Sequence, residues 1–165
     1  MTSTRRQGKS RLASALRCLT VITVLASAGP SGAAVTERVV TDMHTGLAMD
    51  GYDPVAYFTD AAPTVGRPQY EYRFRGVIWR FDNEGNRAAF AESAEQYVPR
   101  FGGYDPVAIA RGVALAGNPA YWTIAGDRLY LFYSAEALAS FKADIASAVT
   151  AAEAKWPQVM ERLTP

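Results

Sequence analysis

A chain of 165 residues with 17 Lys+Arg, 16 Asp+Glu, one histidine and one cysteine has little material for thiol, disulfide or histidine-based chemistry. Its formal net charge of +1 offers no surplus of cations to displace phosphate counterions, which excludes nucleic acid as a partner.

The chain opens with Arg5, Arg6, Lys9, Arg11 and Arg17, followed by an uncharged run from Cys18 to Ala28. Small residues follow at Ala26-Ser27-Ala28 and at Ser31-Gly32-Ala33-Ala34. A basic stretch, a short apolar stretch and a small-residue cleavage site make a secretory leader, and the apolar run is too short for a comfortable membrane anchor. Residues 1–34 are therefore read as a signal peptide, and the product as periplasmic or extracellular, with no stable membrane insertion after cleavage. The pair Arg5-Arg6 lacks the apolar residues of a twin-arginine signal. Five of the 17 Lys+Arg and none of the 16 Asp+Glu precede residue 35, which leaves 12 against 16 and a net charge of −4 beyond it. Cys18 lies in the leader, so the remainder has no thiol for a disulfide, a nucleophile or a metal.

Residues 35–45 read as an N-terminal arm, with a β-branched run at Val39-Val40-Thr41 and a turn at Asp42-Met43-His44-Thr45-Gly46. Residues 46–163 read as one domain. Gly51-Tyr52-Asp53-Pro54-Val55-Ala56 recurs letter for letter as Gly103-Tyr104-Asp105-Pro106-Val107-Ala108. Asp is a preferred N-cap and Pro is preset for the first helical position, so each copy predicts a loop ending in a short helix, near 54–58 and 106–111. Tyr70, Tyr72 and Phe74, then Val77, Trp79 and Phe81, alternate with polar and charged residues around Gly76, which predicts a β-hairpin with one aromatic face. Asn83 begins a helix from Glu84 to about Ser93, with a further turn to Tyr97 stopped before Pro99. A second hairpin, 121–124 with 128–133, is predicted around Gly126-Asp127 in a type II′ turn. From Ser134 an apolar stripe of Leu138, Phe141, Ile145, Val149, Ala152 and Trp156 predicts a last helix, broken or kinked at Pro157. Two hairpins with helices between and after them predict an α+β fold, a small antiparallel sheet with packed helices.

No nucleophile-and-base pair is present, since His44 is the one histidine and no Gly-x-Ser-x-Gly elbow occurs; the chain is read as a non-enzyme. Three binding constellations remain. Met43, His44 and Met49 offer soft ligands of the kind that suit copper. Asp53 and Asp105, brought together, would form a carboxylate pair for a divalent cation, so a metal would draw on His44, Asp53 and Asp105. Tyr52, Tyr57, Phe101, Tyr104 and Trp122 would line an apolar cleft for a small ligand, with Asp53 and Asp105 beside them. Against these stands the plain reading of both aspartates as helix caps, under which Asp53→Asn and Asp105→Asn are mild.

The run Gly-Tyr-Asp-Pro-Val-Ala-Tyr-Phe, the Tyr-x-Tyr-x-Phe-x-Gly-x-x-Trp-x-Phe hairpin, Asn86-Arg87-Ala-Ala-Phe90, Glu95-Gln96-Tyr97-Val98-Pro99, Phe101-Gly102-Gly103-Tyr104, Trp122, Leu129-Tyr130-Leu131 and Lys155-Trp156-Pro157 together resemble the small exported proteins of the YHS domain family, over about residues 46–160. The resemblance implies a compact α+β domain, found beside heavy-metal transporters and associated with metal binding through a cysteine after the Gly-Gly-Tyr element. Here that position is Asp105, and a carboxylate does not replace a thiolate for a soft cation. The expectation is thus an exported YHS-like, non-catalytic binding module, its partner a small ligand or a protein. The alternatives are a metal-ion-binding protein of the cell envelope and an accessory subunit docking on a membrane or exported partner. On this reading the second Gly-Tyr-Asp-Pro is a former site rewritten as a helix cap rather than a mark of duplication.

Overall fold

Asp followed by Pro starts a helix only if the chain arrives extended, and both copies of the motif arrive the same way. In the computed structural model, residues 37–163 are described, within the compact unit Ala33–Pro165; the leader read in 1–34 lies outside the described residues. A 3₁₀ turn, Met49–Gly51 or Arg100–Gly103, precedes each motif. Three successive residues there are left-handed: Met49, Asp50 and Gly51 at φ 53°, 54° and 81°, Phe101, Gly102 and Gly103 at 55°, 65° and 90°. Tyr52 and Tyr104 then return to extended backbone at φ −75° and −78°. The described elements are α1 (Ala56–Thr59), β1 (Arg67–Phe74), β2 (Val77–Phe81), α2 (Glu84–Tyr97), α3 (Pro106–Ala110), β3 (Asn118–Ala125), β4 (Arg128–Phe132), α4 (Ala135–Ala143) and α5 (Ile145–Met160). This is an α+β fold whose two hairpins, β1–β2 and β3–β4, each form their own antiparallel sheet.

The two halves share far more than six letters. After α1 the Asp53 amide donates to Thr64 O and Gly66 to Gly51 O; after α3, Asp105 donates to Leu115 O and Gly117 to Gly103 O. A Cβ on Gly66 would lie 2.7 Å from the Arg80 backbone, and one on Gly117 2.6 Å from Leu131 Cβ, so each glycine lets its loop lie against the second strand of its hairpin. The hairpins close at Phe74↔Val77 and Ala125↔Arg128, and both shift register, between Arg67 and Glu71 and between Asn118 and Trp122. Asn83 and Ser134 cap the next helices at φ −147° and −146°. From the hairpins onward equivalent positions differ by 51, as in Phe81 to Phe132 (132 − 81). The repeated hexapeptide is therefore the visible part of one structural unit present twice, contrary to the reading of the second copy as an isolated rewritten cap. Letter identity misses this because the shared features are backbone signs, caps and close approaches.

Two turn and helix details also differ from expectation. Gly126 and Asp127 both have positive φ, 54° and 56°, as do Arg75 and Gly76 at 52° and 83°, so both hairpins turn in the type I′ sense rather than the second in type II′. Asp tolerates the left-handed region well enough for this. The last helical stretch breaks at Asp144, at φ −153° and ψ 82°, whose carboxylate accepts from the Ser147 amide and caps α5, while Pro157 is accommodated inside α5. Val159 and Leu163 are buried beyond Pro157 and hold that last turn on the core.

Each half builds its own core. Trp79, Phe81 and Phe90 centre the first, with Met49, Val55 and Tyr57; Tyr130, Phe132 and Phe141 centre the second, with Phe101, Tyr104 and Ile109. β4 joins them, since Leu129 and Leu131 face the first core while Tyr130 and Phe132 face the second. The arm does the same with adjacent residues, Val39 to the first core and Val40 to the second. Its backbone is pinned by Val40 N–H donating to Gly102 O, and a Cβ on Gly102 would lie 2.0 Å from Arg38 O. Gly102→Ala should therefore cost more than left-handed strain of about 1–2 kcal/mol, because the arm must move. Gly46→Ala, at φ 69° with nothing within 4 Å of its Cβ, should show that strain alone. Chemical denaturation of the two variants separates clash from strain, and equal losses would show that the arm is not held at Gly102.

Candidate functional site

The two aspartates are the most deeply buried charged groups among the described residues, at 0 and 2% exposure. Asp53 Oδ1 accepts from the Val55 and Ala56 amides at 2.8 and 3.3 Å, and its Oδ2 accepts from the Asp82 amide and Asn86 Nδ2 at 2.9 and 2.7 Å. Asp105 Oδ1 accepts from Val107 and Ala108 at 2.7 and 3.3 Å, and its Oδ2 from Tyr133 at 3.0 Å. One oxygen caps the short helix and the other holds the chain where it leaves the hairpin. An asparagine supplies only one acceptor oxygen, so the expectation of mild Asn variants gives way to a two-sided tie that needs the carboxylate.

The other predicted residues are not gathered around these carboxylates. His44 sits in an exposed turn, where Asp42 Oδ1 accepts from the His44 and Thr45 amides and from Thr45 Oγ1. Those bonds, the Thr45 hydroxyl first, hold the Asp42 carboxyl below its usual range. Met43 is exposed, while Met49 is buried in the first core. Among the described residues no group of three or more His, Cys, Asp or Glu is placed to hold a metal ion. The aromatic set is divided as well. Tyr57 is buried, donates its hydroxyl to Pro119 O at 2.9 Å and meets Trp122 edge to face at 5.0 Å, while Tyr52 packs at the side of the same core. Tyr104 and Phe101 belong to the second core, where the Tyr104 hydroxyl donates to Glu37 O and burial pushes its phenol up to about 12. Desolvation also raises the Tyr57 phenol. Tyr57 and Tyr104 are core residues with satisfied hydroxyls, and Phe101 is the member of the set that faces an open cavity.

That cavity is a cleft of about 550 Å³, within the range of small-molecule sites of about 300–1,000 Å³. Its apolar side consists of Val39, Val98, Pro99, Phe101, Trp156 and Met160, which come from the arm, the end of α2 and its following turn, and α5. Its polar side carries Arg38, Arg75, Arg100 and Arg128, with Glu95 as the acidic residue of the lining. Arg75 pairs with Glu95 and Arg100 with Glu153, both at 2.5 Å. Among the described residues Arg38 and Arg128 take part in no ion pair. The Nε atoms of Arg100 and Arg128 are buried without a hydrogen-bond partner. A buried donor left unmade costs about 1–3 kcal/mol. Beside them stands the Tyr130 hydroxyl, raised mainly by burial and lowered in part by Arg100 and Arg128. Arg100 also lies over the Phe101 ring, 5.4 Å from its centroid.

Sequence reasoning missed these arginines because they stand on separate segments and make no local motif. The one available signal was their number, since four of the 12 basic residues beyond position 34 meet here in a stretch with a net charge of −4. Across the described residues, no helix is long and apolar enough to cross a membrane. No family model, curated protein or solved structure matches the chain.

Proposed function

We propose that this protein is a non-catalytic binding module, exported to the periplasm or the extracellular space, that takes a small ligand in the arginine-walled cleft. The observation that carries this reading is a cavity of ligand size in which Arg38, Arg75, Arg100 and Arg128 stand beside an apolar side of Val39, Phe101, Trp156 and Met160. The leader in residues 1–34 supports export, and the resemblance to the YHS domain family over about residues 46–160 supports a small binding domain as the setting. Asp105, standing where those relatives carry a cysteine, spends its carboxylate on three amides, which supports a loss of the soft-metal role. A metal-ion-binding protein, or an accessory subunit, would need its site elsewhere.

Titrating the purified protein with divalent ions and with Cu(I), followed by desalting and metal analysis, tests this reading beside a thermal-shift screen of small organic compounds. The expected result is no metal retained at one equivalent, and stabilisation by a subset of the compounds that Arg128→Gln removes. Stoichiometric metal that is lost in Asp105→Asn while the fold persists would overturn it in favour of the metal-binding reading.

A further inference from the structure

The chemistry of the cleft names a ligand class, an inference that rests on the binding reading above. Duplication supplies the control. Arg100 and Arg128 occupy the positions that Ala48 and Val77 hold in the first half, as the left-handed turns and the hairpin closures align them. The unit therefore folds without a cation at either place; Arg100 has a structural partner in Glu153 of α5, whereas Arg128 has no ion pair among the described residues. The left-handed backbone of Phe101, by contrast, recurs at Met49 and belongs to the turn.

We propose that the cleft binds a small carboxylate with an apolar body, an aryl- or alkyl-substituted organic acid. Arg128 lines the cleft and takes part in no ion pair among the described residues, and a guanidinium fork fits two carboxylate oxygens at once. Arg38 adds a cation unpaired among the described residues, so the lining stays positive although Glu95 and Glu153 offset Arg75 and Arg100. The Trp156 and Phe101 rings meet edge to face at 5.5 Å and, with Met160, provide an aromatic and thioether wall for the apolar body. A bare inorganic oxyanion would leave that wall uncovered, and an uncharged ligand would leave the positive lining unneutralised.

The test is equilibrium titration of the purified protein with 3-phenylpropionate, its primary amide, acetate and inorganic phosphate, read by tryptophan fluorescence and by calorimetry. The expected result is 3-phenylpropionate bound at least about tenfold tighter than its amide, acetate or phosphate, with Arg128→Gln and, separately, Arg38→Gln weakening it several-fold. Circular dichroism melts show that each variant is folded, and Arg128→Lys, which keeps the charge without the fork, should fall between wild type and Gln. Equal binding of acid and amide, or phosphate as tight as the aryl acid, would overturn the carboxylate assignment while leaving a binding cleft in place. No response from any of the four probes, nor from the wider thermal-shift screen, would overturn both.

Discussion

Phe90→Ala is expected to lower the unfolding free energy by about 3–5 kcal/mol and the melting temperature by roughly 10–20 °C. Phe90 is fully buried on α2, and its ring meets those of Tyr72, Phe74, Trp79, Phe81 and Tyr97 at 6.2, 5.8, 5.2, 5.1 and 6.4 Å. It is the side chain against which Tyr72, Phe74, Trp79 and Phe81 of the first hairpin close, so its removal leaves a cavity that these rings and Tyr97 line. A two-stranded hairpin is not stable by itself and depends on such a contact. Phe141 is the same residue in the second half, against Tyr130 and Phe132 at 5.0 Å each. Phe141→Ala should cost a similar amount, and Phe90→Leu should cost less than about 1.5 kcal/mol if side-chain volume is the cause. Urea denaturation of the three variants measures this; a loss under about 1 kcal/mol for Phe90→Ala would mean that the hairpin is held by something other than its aromatic face.

Asp53→Asn is the second large effect, about 2–3 kcal/mol, where a simple change of cap would cost a few tenths. The amide nitrogen must replace one oxygen. At Oδ1 it would face the Val55 and Ala56 amides, and at Oδ2 the Asp82 amide and Asn86 Nδ2, so donors confront donors either way. Asp105→Asn should lose somewhat less, because Asp105 accepts three bonds rather than four. Denaturant titration at neutral pH reads both, and a cost near zero at Asp53 would show that one of its oxygens is idle.

The hairpins were legible because alternation of Tyr, Phe and Trp with Glu and Arg leaves a strand one way to bury its rings. The caps at Asn83, Asp105 and Ser134 were legible for the same local reason, a side-chain acceptor just before an apolar run. The tie from Asp53 to Asp82 and Asn86 was not, since it spans a hairpin and nothing local marks the second oxygen. The duplication was half legible. The hexapeptide predicts the same loop and helix start twice but is read as a rewritten site and not a duplication, because the matching pairs Phe81 and Phe132, Phe90 and Phe141, and Gly66 and Gly117 are single letters in unlike surroundings. Only the recurrent left-handed turn and the shifted register show that they are equivalent. The break at Asp144 escaped because Pro157 is the stronger breaker by propensity, while packing of Val159 and Leu163 keeps the helix running past it. The cleft escaped altogether, because Arg38, Arg75, Arg100 and Arg128 meet only after both halves and the arm have folded.

The doubled Gly-Tyr-Asp-Pro thus builds the protein, and the cleft proposed to bind a ligand holds Arg100 and Arg128 where the first copy has Ala48 and Val77. Amide chemical-shift mapping of the isotope-labelled protein during titration with 3-phenylpropionate tests this most directly. Saturable shifts centred on Phe101, Gly102, Arg128 and Trp156, with Val55, Ala56, Val107 and Ala108 unmoved, are the predicted result. Shifts centred on the amides that Asp53 and Asp105 hold, with the cleft silent, would contradict it.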